Sequence, residues 1–216
     1  MDGKLNSRTR VKICGMTRAK DAQFAAQLGV DAIGLVFYEK SPRNVSLQQA
    51  HDICSVLPAF VSKVALFLDP SESLVSEVID KLAIDLLQFH GKESAEFCAT
   101  FNYPYIKALG MAGQDDVQQR VSDYSQARGI LLDSHEAGAA GGTGEAFNWE
   151  IIPRNLRQSI ILAGGLKPGN VADAIRKVRP YAVDLSSGVE TGPGIKDEAL
   201  MKQLMNEVKR VDCEIS

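Results

Sequence analysis

One stretch, Ile160–Gly194, constrains this chain most, because it alternates apolar runs with turns of small residues. The runs Ile160–Ala163 and Ala182–Leu185 end in Gly164–Gly165 and in Ser186–Ser187–Gly188. Between them Val171, Ala174, Ile175 and Val178 recur at helical spacing. Such a strand–turn–helix–strand–turn unit can cradle an anion. Main-chain N–H groups released at a strand end can point at it, and glycine clears the space. In barrels of alternating strands and helices, the loops after strands seven and eight often hold phosphate. Six earlier strand–helix units must then precede Ile160.

The chain supplies them. Val11–Cys14, Ala32–Phe37, Val61–Leu68, Ile84–Phe89, Tyr105–Leu109 and Gly129–Leu132 are short apolar runs. Their near-continuous hydrophobicity suits strands buried on both faces. Helices are expected at Arg18–Leu28, after a Ser46 cap, after an Asp69 cap with Pro70 in the first turn, at Glu93–Phe101 and at Gln114–Tyr124. The block Phe147–Leu156 has a poor helical stripe and reads as a short, irregular helix. Leu200, Met201, Leu204, Val208 and Val211 mark a final amphipathic helix. The glycine-rich Glu136–Glu145 reads as a long loop. Eight strands without a linker predict an α/β fold, a single (β/α)8 TIM barrel over residues 11–212, behind a mobile leader at 1–10. The rival is an open doubly wound sheet, which usually has fewer strands.

Composition narrows the function. The net charge of −3 argues against a general nucleic-acid binder. Cys14, Cys54, Cys98 and Cys213 form no C-x-x-C pair, and His51, His90 and His135 are scattered, so neither a disulfide framework nor a metal cluster is indicated. No apolar run is long enough to span a membrane, and the first residues lack a signal-peptide core, so cytoplasmic residence is expected. Gly141–Gly142–Thr143–Gly144 lacks the Lys-Ser/Thr ending of a P-loop. A sugar phosphate is indicated rather than a nucleotide cofactor.

The site of such a barrel lies at the carboxyl ends of its strands. Cys14 and Asp133 end strands one and six. Cys14 is either a small buried hydrophobe or a thiolate base helped by a nearby positive charge. Asp133 either caps loop N–H groups or acts as a general acid. From different sides of the ring, the two could face each other across a small substrate. Arg43 is either a solvated loop charge or a bidentate grip on a carboxylate. Lys107 is an internal ammonium or a snorkelling side chain. His90 more simply fills the barrel top.

The segments KICGMT (12–17), GLVFYEKSPRNVS (34–46), LLQFHG (86–91), LLDS (131–134), GGTGEAFNW (141–149), LAGGLKPGNV (162–171) and DLSSGVETGPGIKD (184–197) together closely resemble the phosphoribosylanthranilate isomerase family of tryptophan biosynthesis. The resemblance implies the same barrel, no cofactor or metal, and an Amadori rearrangement of a small sugar phosphate by a monomer or homodimer. It implies Cys14 as general base, Asp133 as general acid and Arg43 on the anthranilate carboxylate. Gly142, Gly164, Gly165, Ser187 and Gly188 would hold the phosphate. Met16, Phe89 and Gly192 depart from residues common in the family, and none carries a proposed role. A related indole-glycerol-phosphate synthase would show more strand-end lysines and glutamates. A catalytically silent phosphate-binding barrel is the reading from a different class.

Overall fold

In a computed structural model, which describes residues 8–111, 116–134, 148–153, 155–156 and 160–215, eight parallel strands close into a barrel in sequence order. The strands are β1 (Arg10–Cys14), β2 (Ala32–Phe37), β3 (Ser62–Phe67), β4 (Leu86–Phe89), β5 (Tyr105–Gly110), β6 (Gly129–Asp133), β7 (Ile160–Leu162) and β8 (Ala182–Leu185). Pairing of β1 with β8, Val11 beside Val183 and Ile13 beside Leu185, seals the ring. The helices are α1 (Ala19–Leu28), α2 (Leu47–Ser55), α3 (Glu72–Lys81), α4 (Ala95–Thr100), α5 (Val117–Asp123), α6 (Val171–Val178) and α7 (Glu198–Ile215). A short antiparallel pair, β9 (Glu190–Gly192) and β10 (Ile195–Lys196), follows β8 and was not anticipated from the sequence.

Strand periodicity builds two layers. Alternate residues send one set of side chains to the helices and the other into the barrel. Val11 and Ile13 join the large core beneath the helices, whereas Cys14 packs inward with Val36 and Leu66. Ala108, Leu131 and Ala163 fill another part of the interior. On the outer side, Phe37, Phe67 and Phe89 stack across neighbouring strands at 5.6 and 6.1 Å between ring centroids. In α6, Val171, Ala174, Ile175 and Val178 are buried, as the spacing required. Burying a side chain such as Ile175 is worth about 1.5–3 kcal/mol.

Local signals explain most helix ends. The Ser46 hydroxyl accepts from the Gln49 N–H, and Gln49 reaches back in a reciprocal cap. α1 stops at Gly29, whose φ of 89° suits a residue without Cβ. One expected cap is corrected: α3 starts from Ser71, whose hydroxyl accepts from the Leu74 N–H. Asp69 instead accepts from the Lys92 N–H at 2.6 Å, tying the loops after β3 and β4. The expected helix at Phe147–Leu156 is a 3-10 turn, Trp149–Ile151, among the described residues.

The barrel starts one residue before the expected boundary. Arg10 opens β1, and the Thr9 N–H and hydroxyl donate to Asp212 at 2.8 and 2.7 Å. Residues 1–7 and the whole of the expected loop 136–145, with Gly142, lie outside the described residues. Among the described residues, no helix is long and apolar enough to cross a membrane.

Candidate active site

The carboxyl ends of the strands open into one mouth, and Cys14, Arg43, Asp133, Gly164, Gly165 and Ser187 all line it. The sulfur-bearing and carboxylate-bearing strands are β1 and β6, three places apart around the ring. Gly188 is set back from the wall. A Cβ there would lie 2.0 Å from the Leu166 carbonyl oxygen, so the β8 turn rests directly on the backbone after β7. Gly164 has φ 83°, and a Cβ on it would meet the Ser134 nitrogen at 2.3 Å. Glycine is required there twice over, by conformation and by space. Cys14 also depends on a missing side chain, since a Cβ at Gly34 would lie 2.7 Å from its Sγ.

Cys14 sits in an electrostatic balance. Burial pushes its thiol up, the Lys12 ammonium pulls it down, Asp184 adds to the rise, and Lys196 pulls down again. The net direction is upward, so the thiol is the resting form at neutral pH. Lys12 lies two residues earlier on the inward face of β1, where its Nζ donates to Asp184 Oδ2 at 2.9 Å. Burial opposes the Lys12 charge, but Asp184 and Cys14 outweigh it and raise its pKa. Burial also raises Asp184, against the pull of Lys12, with Asp133 adding to the rise. The two shifts thus argue opposite cases for one ion pair. The ionised pair stands, because a neutral acid 2.9 Å away would leave a buried ammonium uncompensated.

Arg43 is neither solvated nor loose. Its Nε and Nη2 donate to the two oxygens of Glu190 at 2.9 and 2.7 Å. Glu190 also accepts from Lys196 Nζ at 2.6 Å. Burial works against the Glu190 carboxylate, yet Arg43 and Lys196 together hold it below its ordinary range. Lys196 donates in addition to the Cys14 carbonyl at 2.6 Å and the Ser186 carbonyl at 3.2 Å. The β9–β10 pair therefore braces both Arg43 and the end of β1.

Across the mouth, His90 Nδ1 and Gln88 Nε2 are 3.1 Å apart, and His90 Nε2 lies 3.6 Å from Asp133 Oδ2. Burial lowers the His90 pKa despite Asp133, so the imidazole is neutral at pH 7. Lys107 proves to be an internal ammonium off the mouth, bonded to Glu93 Oε2 at 2.7 Å and the Gly91 carbonyl at 2.6 Å.

Three charged residues of this region escaped the sequence reading: Lys12, Glu190 and Lys196. Lys12 carried a usable signal, a cation inside the apolar run VKIC, on the face of Cys14 by the two-residue period. Glu190 carried none, because its partner Arg43 is 147 residues away. Among the described residues, no group of three or more His, Cys, Asp or Glu could hold a metal ion. The mouth brings together a thiol, a carboxyl group opposite it, a guanidinium and two turns of small residues.

Comparison with known proteins matches these features to one family. The model for N-(5'phosphoribosyl)anthranilate (PRA) isomerase matches residues 11–207. An N-(5'-phosphoribosyl)anthranilate isomerase of Pseudomonas fluorescens is 54% identical over 201 residues, covering 93% of this chain and 96% of the relative. A crystal structure of phosphoribosyl anthranilate isomerase from Thermotoga maritima superposes with a TM-score of 0.85 at 38% identity, over 94% of this chain and 99% of that one. Another, in complex with reduced 1-(o-carboxyphenylamino)-1-deoxyribulose 5-phosphate, gives 0.82 at 37% identity, over 94% and 99%.

Proposed function

The chain belongs to the N-(5'-phosphoribosyl)anthranilate isomerase family of tryptophan biosynthesis, and on that footing we propose that it converts N-(5-phosphoribosyl)anthranilate into 1-(2-carboxyphenylamino)-1-deoxyribulose 5-phosphate by acid–base catalysis at its barrel mouth. What carries the reading is that Cys14 and Asp133 line the same opening.

Asp133 is the general acid. It gives a proton to the furanose ring oxygen as the C1–O bond breaks, and the aniline nitrogen lone pair forms the iminium. Cys14, as thiolate, then takes the C2 proton, which the iminium has made acidic. The C2–H electron pair becomes the enolamine double bond, and the iminium nitrogen recovers its lone pair. Tautomerisation moves a proton from the C2 hydroxyl to C1 and leaves the ketone, so the atoms are conserved.

Arg43 holds the anthranilate carboxylate. With Glu190 on its Nε–Nη2 edge, it presents the Nη1 side as the remaining donor edge. Gly164, Gly165, Ser187, Gly188 and Gly142 form the phosphate seat. Anchors at both ends of the substrate hold C2 near Cys14, which is the proximity part of the rate enhancement. The reaction needs no cofactor. The barrel acts as one catalytic domain, in a cytoplasmic monomer or homodimer.

The test follows the loss of anthranilate-type fluorescence from freshly made phosphoribosylanthranilate. Cys14→Ser and Asp133→Asn each lower kcat by about 100-fold or more, while phosphate binding persists. Near-normal turnover in either folded variant removes the mechanism.

A further inference from the structure

Lys12 has no part in the chemistry just described, yet it lies two residues before Cys14 on the same inward face of β1. It is 4% exposed, projects into a closed barrel and meets Asp184 from β8 at 2.9 Å. The other Asp184 oxygen, Oδ1, is buried with no hydrogen-bond partner. Isolated buried charges are costly, and a pair left half-satisfied is costly as well. A purely structural pair gains nothing from that vacancy.

Several other titratable groups face Cys14 from the packed elements. Lys196 comes from β10 and Arg43 from the loop after β2, while His90, just after β4, and Asp133 of β6 stand across the mouth. The two cations are already committed. An ammonium has three donors, and Lys196 directs its own to Glu190, the Cys14 carbonyl and the Ser186 carbonyl. Arg43 is clamped on Glu190 by two bonds. Lys12 gives one donor to Asp184 and, two residues before Cys14 on the same inward face of β1, keeps others for the sulfur above it.

We propose that Lys12, pinned by Asp184, is a positioning residue whose ammonium is the counter-ion of the Cys14 thiolate. This rests on the reading of Cys14 as the base. The thiol gives its proton to solvent at the mouth, and the thiolate is held against Lys12. When the C2 proton arrives, sulfur becomes neutral and Lys12 keeps its own proton throughout. The single bond to Asp184 orients the ammonium without exhausting its donors.

The experiment measures Cys14 directly, apart from turnover. Full-length protein carrying Cys54→Ser and Cys213→Ser is treated with iodoacetamide across a pH series, and the Cys14 peptide is quantified by mass spectrometry. Cys98, buried and pushed up to about 12, stays unreactive across the range used. The pH profile of kcat/KM is recorded on the same samples. Because burial raises the Cys14 thiol, alkylation and kcat/KM both climb as pH rises beyond neutral. In Lys12→Met the alkylation midpoint moves upward by about one unit, a roughly tenfold loss of rate at a fixed pH below it. The rising limb of kcat/KM moves with it and recovers in alkali. Lys12→Met/Asp184→Leu removes the pair together, so folding is kept if the single variant fails, and its midpoint also rises. An unmoved alkylation midpoint in either folded variant overturns the proposal. A moved midpoint with an unmoved kcat/KM limb upholds the counter-ion and removes Cys14 as the base.

Discussion

Lys107 and Lys12 are both buried in this barrel beside a carboxylate, and they differ in what their partners leave over. Lys107 projects to the outer side of β5, under the Tyr124 ring at 5.5 Å. Its partner Glu93 accepts from Lys107, from the Asp69 N–H at 2.8 Å and from the Gly91 N–H at 2.9 Å, so both oxygens are occupied. Lys12 projects inward, and Asp184, a residue that lines the mouth, leaves its buried Oδ1 without a hydrogen-bond partner. The saturated pair fixes a loop. The unsaturated pair keeps bonding capacity in reserve beside the groups proposed to react. Burial is the same in both, so burial alone does not separate a structural ion pair from a chemical one; the count of unfilled positions does.

That contrast can be broken by substitution. Lys107→Met strands the Glu93 charge and costs about 3–5 kcal/mol in urea unfolding, while turnover per folded molecule is kept. A matching loss of turnover would erase the distinction. The double replacement Lys107→Met/Glu93→Leu removes both charges but orphans the Asp69 and Gly91 N–H groups, and remains about 1–3 kcal/mol below the parent. The equivalent Lys12→Met/Asp184→Leu leaves no such orphans and stays within about 1 kcal/mol of it, yet loses most of its turnover at neutral pH. Equal stabilities for the two doubles would show that Glu93 holds its loop no better than Asp184 holds Lys12. The baseline is an exposed pair: Lys81→Ala, which breaks the contact with Glu77 one turn earlier in α3, costs under about 0.5 kcal/mol by the same measurement.

How much could be read from the sequence follows the range of the interactions. Strands, helix stripes and the Ser46 cap depend on neighbours within four residues, and those expectations match the structure. The Asp69 cap failed on chemistry of equally short range, because Ser71 offers a side-chain oxygen acceptor two residues later and the Asp69 carboxylate accepts from the Lys92 N–H instead. The mouth shared by Cys14 and Asp133 was legible because closure of an eight-stranded ring dictates it. Glu190 was not, since nothing near Arg43 in the chain announces a partner beyond β8. Lys12 was visible and passed over: in an apolar run, a lysine reads as a strand interruption until the two-residue alternation is counted from Cys14.

The contact of Gly188 with the Leu166 carbonyl has a further consequence. The two turns touch main chain to main chain, so no side chain sets the gap they frame. Its gauge is a property of the path the chain takes, and a single added methyl would act as a shim, prising one turn off the other. Drift among the remaining wall residues can reshape the lining and leave that gauge untouched.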